Sequence, residues 1–254
     1  MINRYKIVIA YDGTDFAGWQ IQAHDVTVAG QLQKTFKSVF GQDIKILGAS
    51  RTDTGVHALG QVATFLTDVN VLVDDMLRAW NSALPTSIKI RSLEQVDESF
   101  HPFGNVDYKI YQYHLFLRSP LPHVARYGWY YCFVNQVNWS VFEQCLKLAV
   151  GTHDFASFCK QDAEDPKPTI RTIFKIKIEH VKALCAKRVT IKGPGFGRYQ
   201  IRRMIGYALD IARRPDKSIA DFKALLNNPQ PRQELVRAEA QGLCLRKIVY
   251  LRII

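Results

Sequence analysis

The apolar, β-branched run Tyr5-Lys-Ile-Val-Ile-Ala-Tyr11 predicts a strand, and Asp12-Gly13 closes it with turn chemistry. The aromatic, glycine-punctuated segment Thr14–Gln22 follows, in which Phe16 and Trp19 read as core packing. Val28, Leu32, Phe36 and Phe40 recur every four residues and predict an amphipathic helix over Val28–Phe40. Thr27 is its candidate N-cap, although Gly30 in the first turn blurs the start. Ile44–Leu47 and Gln61–Leu66 read as strands. Met76, Leu77, Trp80 and Leu84 give helical spacing to Val71–Leu84, which Leu84-Pro85 ends because a residue before proline avoids helical geometry. Ile88–Leu93 reads as a further strand, so the first hundred residues alternate strand and helix in an α+β pattern.

Glu98–Gly104 carries no periodicity and reads as a hinge, dividing the chain into halves of residues 1–104 and 105–254. Tyr108–Leu117 is rich in aromatic and branched residues and predicts a strand, with Lys109, Tyr111, Tyr113 and Leu115 sharing one face. Tyr111 and Tyr113 could stack on a base or seal a core. Trp139–Val150 predicts a helix, Lys160–Thr169 a polar mobile loop, and Phe174–Val181 and Arg188–Lys192 two strands. A helix over Tyr199–Arg214 packs through Ile201, Ile205, Ala208 and Ala212. Arg202 and Arg203, about a hundred degrees apart around that helix, have different roles. Lys247–Ile254 reads as a terminal strand.

Between the strands ending at Leu47 and starting at Gln61 lies Gly48-Ala-Ser-Arg-Thr-Asp-Thr-Gly-Val-His-Ala-Leu-Gly-Gln61, too polar and glycine-rich to extend either. Loops held on strands are where chemistry concentrates. Arg51 and Asp53, two apart, would point to one face of an extended segment. A guanidinium beside a carboxylate keeps it ionised, and an ionised, positioned carboxylate can serve as nucleophile or base. The alternative is an Asx-turn in which Asp53 caps its own backbone before Gly55. The glycines of Gly193-Pro-Gly-Phe-Gly197 could cradle a phosphate, but no Lys-Ser/Thr follows and no dinucleotide fingerprint fits.

Charge narrows the function classes. The 254 residues hold 34 Lys plus Arg against 23 Asp plus Glu, a net of +11, which favours a polyanionic partner. Many of the cations fall late, among them Lys182, Lys187, Arg188, Lys192, Arg198, Arg202, Arg203, Arg213 and Arg214. A hydrophobic content of 47% with 22% charged residues describes an ordinary globular chain. No apolar run approaches the roughly 20 residues of a membrane span, and Met1 leads directly into a strand without a signal peptide. A cytoplasmic or organelle-matrix location is expected. Five scattered cysteines without a Cys-x-x-Cys pair, and seven histidines without ligand spacing, predict neither a disulfide framework nor a metal site.

Arg51-Thr-Asp-Thr-Gly-Val-His57, followed by Gly60-Gln61-Val62 and Phe65, resembles the signature of the TruA family of tRNA pseudouridine synthases. The resemblance extends to Tyr11-Asp-Gly-Thr14 with Phe16 and Gly18-Trp19-Gln20, to Lys109-Ile-Tyr-Gln-Tyr113, to Gly151-Thr-His-Asp-Phe-Ala-Ser-Phe158, to Phe196 with Gln200-Ile-Arg-Arg-Met-Ile-Gly206, and to Gly242-Leu243 with Leu245. It implies that Asp53 is the catalytic aspartate, that Arg202 pairs with it, and that Tyr111 stacks on the target uracil. It further implies that Leu243 helps enclose the base. Arg51, His57, Tyr113, Arg198 and Arg203 are the remaining candidates for contact with RNA. The implied architecture is α+β, two similar halves with mainly antiparallel sheets side by side around a central basic cleft. A homodimer, a tRNA substrate modified in its anticodon stem-loop region, and no cofactor are implied with it.

Three departures stand out. His101-Pro-Phe-Gly104 replaces the family's His-Ala-Arg-Phe and lacks an arginine expected to touch RNA; Glu239 replaces a proline; Gln200 replaces a methionine. On this reading Asp53 attacks C6 or C1′ of a flipped uridine, or acts as a base, and the freed uracil rejoins through C5. Three competing classes are an N-glycoside hydrolase, a non-catalytic RNA-binding module, and an aspartic protease. The hydrolase would release the base, the RNA-binding module would be indifferent to Asp53→Asn, and the protease would need a second Asp-Thr/Ser-Gly that the chain lacks.

Overall fold

The computed structural model describes residues 2–161, 167–231 and 233–251. The predicted loop over Lys160–Thr169 and the end of the predicted strand over Lys247–Ile254 lie partly outside the described residues. Two compact units emerge. One runs to Asp107 and takes back the chain from Cys244 onward; the other is Tyr108–Leu243. The boundary thus falls a few residues beyond the hinge expected at 104. The terminal strand, expected with the second half, falls in the first unit, where it pairs with the strand that begins at His57.

The first unit comprises β1 (Asn3–Tyr11), α1 (Val28–Phe40), β2 (Leu47–Gly48), β3 (His57–Thr67), α2 (Val73–Ala83) and β4 (Ile88–Val96). β1 pairs antiparallel with both β3 and β4, and its Tyr5, Ile7, Ile9 and Tyr11 are buried while the residues between them are only partly so. The predicted helix at Val28–Phe40 forms with those bounds, and Thr27 caps it by accepting from the Gly30 N–H at 3.3 Å. Two strand expectations change. Ile44–Ile46 makes no strand pairing although Ile44 and Ile46 are buried, and only Leu47–Gly48 bonds to β3. β3 starts at His57, so the last residues of the polar stretch are strand after all.

Helices and sheet meet in an aromatic cluster. Phe36 of α1, Phe65 of β3 and Trp80 of α2 contact edge to face with centroids 4.8–5.3 Å apart, and Tyr5 stacks on Phe65 at 5.5 Å. The Trp80 Nε1–H donates to Thr35 Oγ1 at 3.0 Å, satisfying its one polar atom.

The second unit takes β5 (Val106–Phe116) from Tyr108 onward, followed by α3 (Pro122–Ala125), β6 (Trp129–Tyr130), α4 (Trp139–Leu148), β7 (Gly151–Asp154), β8 (Ile170–Ile173), β9 (Lys175–Val181), β10 (Ala186–Gly193), α5 (Gln200–Arg213) and α6 (Ile219–Asn227). β10 lies antiparallel between β5 and β9, and β7 with β8 forms a separate pair. The sequence reading did not anticipate α6, which is held by a reciprocal capping box between Ser218 and Asp221. The Asp-Phe-x-Ser-Phe segment proves structural. Phe155 and Phe158 are fully buried, Phe158 packs on Phe222 of α6 at 5.2 Å, and the Ser157 hydroxyl bridges Leu225 O and Gln230 N. β11 (Leu243–Tyr250) ends the described fold and runs parallel to β3, with Cys244 opposite His57.

Trp80 closes the first unit's core, so Trp80→Ala should cost about 3–5 kcal/mol of stability. Urea denaturation read by circular dichroism tests this, with exposed Leu72→Ala as the comparison. Equal midpoints for the two variants would contradict the packing described.

Candidate active site

The Asp53 loop is tied down from two sides within the first unit. From the segment after β1, the Trp19 N–H donates to Thr52 O at 3.1 Å, and the Tyr11 hydroxyl shares a 2.7 Å bond with Thr52 Oγ1. The same segment reaches past Asp53, where Gly55 N–H donates to Phe16 O at 3.3 Å; from β3, the fully buried Gln61 donates its Nε2 to Ser50 O at 2.5 Å. Gly18 has φ +96°, and a Cβ there would meet Thr52 O at 2.7 Å, so only glycine lets this segment lie against the loop. Thr52 is buried, whereas Arg51 is exposed and Asp53 half-buried. That alternation presents Arg51 and Asp53 away from the packed side of the loop. The Asp53 carbonyl accepts from Val56 N–H at 3.1 Å and closes a turn behind the carboxylate.

His57 is buried rather than presented to a ligand. Its Nδ1 accepts from the Gly13 N–H at 3.0 Å, and a nitrogen that accepts carries no proton. The 3.2 Å approach of Asp12 Oδ1 to the same atom is therefore no ion pair; that oxygen accepts instead from the backbone and hydroxyl of Thr14. A register shift between Ile9 and Tyr11 against β3 sits beside this contact, a bulge of the kind that re-aims side chains near functional sites.

The other candidates lie in the second unit. Tyr111 of β5 is buried, opposite Ile191, with its ring edge-on to Phe196 at 5.4 Å. Tyr113 is fully buried and donates its hydroxyl to the Glu239 carbonyl at 2.7 Å; burial pushes its phenol well above the usual range. It is a packing residue here, with no ring face left for a base. Gly242 is required beside it, since a Cβ would meet the Tyr113 ring at 2.3 Å, and the next residue, Leu243, is buried. Arg202, 6% exposed, donates through Nε to Ala238 O at 2.8 Å, while its backbone carbonyl accepts from Ala238 N–H. Arg203, on a different face of α5, is half-buried and donates to Cys159 O at 2.9 Å, and Arg198 is exposed.

Sequence reasoning missed three features. Tyr199 takes a left-handed backbone (φ 64°), which an aromatic residue in a chain of glycines gave no reason to expect. Arg237 has its guanidinium 4.4 Å from the Tyr199 ring, a contact no periodicity signals. Lys109, which shares the face of Tyr111, is pushed down to about 8 by burial and, secondarily, by Arg171. Among the described residues no three His, Cys, Asp or Glu side chains converge as a metal would need.

A family model described as tRNA pseudouridine synthase matches residues 7–103 and 146–250. The chain belongs to the tRNA pseudouridine synthase family. It is 35% identical to a tRNA pseudouridine synthase A of Thermodesulfovibrio yellowstonii over 98% of this chain and all of that protein. Identity is 34% to the one of Brevibacillus brevis, again over 98% and 100%, and 33% to the one of Thermoanaerobacter sp. strain X514 with the same coverage. Asp53 and Arg202 lie inside the stretches matched to the synthase family model, and Tyr111 lies between them.

Lys109 of the second unit carries a pH dependence. Burial favours the neutral amine, so the folded chain binds fewer protons at Lys109 than the unfolded chain between about 8 and 10.5. Stability contributed there rises as pH climbs through that window. Relative to Lys109→Met, the wild type should gain stability between pH 8 and pH 10 in urea melts; a constant difference would refute the shift.

Proposed function

We propose that this chain isomerises uridine to pseudouridine in tRNA, in the anticodon stem-loop region, with Asp53 as the group that engages the target nucleotide. The observation that carries this reading is the family match over the two stretches holding Asp53 and Arg202, joined to a loop whose backbone is pinned on both sides of that carboxylate. A catalytic group gains from such fixing, because misplacement by about 1 Å can cost 10²-fold in rate.

The target nucleotide has to leave its stack, at a cost of a few kcal/mol that is smallest in loops and irregular stems. Basic side chains hold the flanking phosphates, and Tyr111 meets the freed uracil. Asp53 acts as nucleophile or base. The N1–C1′ bond breaks, the uracil turns, a C5–C1′ bond forms, C5 gives up its proton and N1 takes one. Composition is unchanged, so no oxidant and no group donor enters.

Arg202 is assigned to Asp53 as the cation that keeps it ionised and aimed. A guanidinium this buried is costly unless hydrogen-bonded and paired, which favours a carboxylate partner for it. The resemblance also assigns two side-by-side halves around a basic cleft, a homodimer, and a cytoplasmic place of work. Among the described residues no helix is long and apolar enough to cross a membrane.

Carbodiimide-stalled reverse transcription of treated tRNA should map pseudouridine with the wild type and lose it with Asp53→Ala, a fall of at least about 10²–10⁴-fold. The product should keep the mass of the substrate. Identical lanes, or release of free uracil, would overturn the reading.

A further inference from the structure

Tyr199 keeps an uncommon conformation for an aromatic residue, φ 64°, immediately before α5. Strain of this kind persists where the surroundings over-determine it, and it concentrates at functional positions. Around its ring stand three guanidinium groups: Arg237 at 4.4 Å, Arg198 at 5.2 Å and Arg202 at 5.6 Å from the centroid. Beside the ring opens a cavity of about 370 Å³, bordered by Tyr199, Arg203, Arg237, Lys160 and Glu234.

Three cations and one carboxylate line this space, and the carboxylate, Glu234, is exposed. Neither Arg203 nor Arg237 has an ion pair with a carboxylate among the described residues. Arg203 is anchored by its bond to Cys159 O, so its position does not depend on a ligand. Burial, and after it the Arg237 charge, push the Arg203 guanidinium down, and both arginines border the same cavity. An anion between them removes that repulsion and gains charge-assisted hydrogen bonds. A stacked base is the poorer occupant, because the Arg237 guanidinium already sits at the Tyr199 ring by cation–π contact.

We propose that Arg237 and Arg203, which border one cavity with Tyr199 and Lys160, form a subsite for one backbone phosphate of the RNA substrate. This rests on the RNA-substrate reading above, and its test reads binding rather than catalysis, so the two can fail separately. A shared phosphate makes the two arginines interdependent.

The test is filter binding of transcribed tRNA to the full chain across a potassium chloride series. Arg237→Gln, at an exposed position where folding is not at stake, should weaken binding by roughly five- to tenfold at 0.1 M salt. It should also lower the slope of log K against log salt by about 0.7–0.9. Arg203→Gln should do the same, and the double variant should lose little more than either alone. Arg78→Gln, which removes a charge on α2 in the first unit, should keep the wild-type slope. An Arg237→Gln slope equal to that of Arg78→Gln would overturn the subsite, as would strictly additive losses in the double variant. Wild type that binds tRNA with this pattern but forms no pseudouridine would support the subsite and sink the catalytic reading instead.

Discussion

The constraint on which the Asp53 loop depends is a set of hydrogen bonds that hold its polar backbone in place. Asp53 sits on a segment with no regular structure of its own, and such backbone is held only if its polar groups find partners. Here they find them on both sides: Trp19 N–H and Tyr11 hydroxyl on Thr52, Phe16 O on Gly55, and the Gln61 amide on Ser50 O. His57 adds a further clamp, tying the Gly13 turn to the start of β3. The residues around the carboxylate therefore act mostly as its mount, which is why so long a motif surrounds a single acidic group.

The second unit answers with buried charge instead of a pinned loop. Arg202 is enclosed and bonded to Ala238, Tyr113 fills the interior beside it, and α5 carries Arg203 towards a different opening. Desolvation strengthens every electrostatic term at such a position, provided that each buried charge is matched. Tyr199, in its strained backbone, has guanidinium groups around its ring from its own segment, Arg198 and Arg202, and from Arg237 farther along the chain. A uniformly solvated basic surface would spread these charges apart, since repulsion between them is otherwise unrelieved.

Much of the secondary structure was legible because it has a local cause. The four-residue recurrence of Val28, Leu32, Phe36 and Phe40 needs no tertiary information, and α1 forms over those bounds. Elements went unseen where the cause was distant. Ile44–Ile46 is as apolar as a strand, yet pairing requires a neighbour's free edge and only Leu47–Gly48 meets one. His57–Gly60 reads as loop by composition and becomes strand because β1 and β11 offer partners. α6 depends on a capping box and on Phe222 reaching Phe158, a contact more than sixty residues away in sequence.

The linear order of residues, alone, determined the α+β class, the basic character and the place of Asp53 within a long specific motif, because these follow from spacing, charge and residue type. Only the tertiary structure decided which motif residues are enclosed and which stay open. Tyr113 and His57 carry the same side-chain chemistry wherever they stand; burial and a hydrogen-bond partner turned both towards packing. That Arg203 and Arg237 border one cavity likewise belongs to three dimensions, since like charges thirty-four positions apart come to line one space only when a fold drives them together.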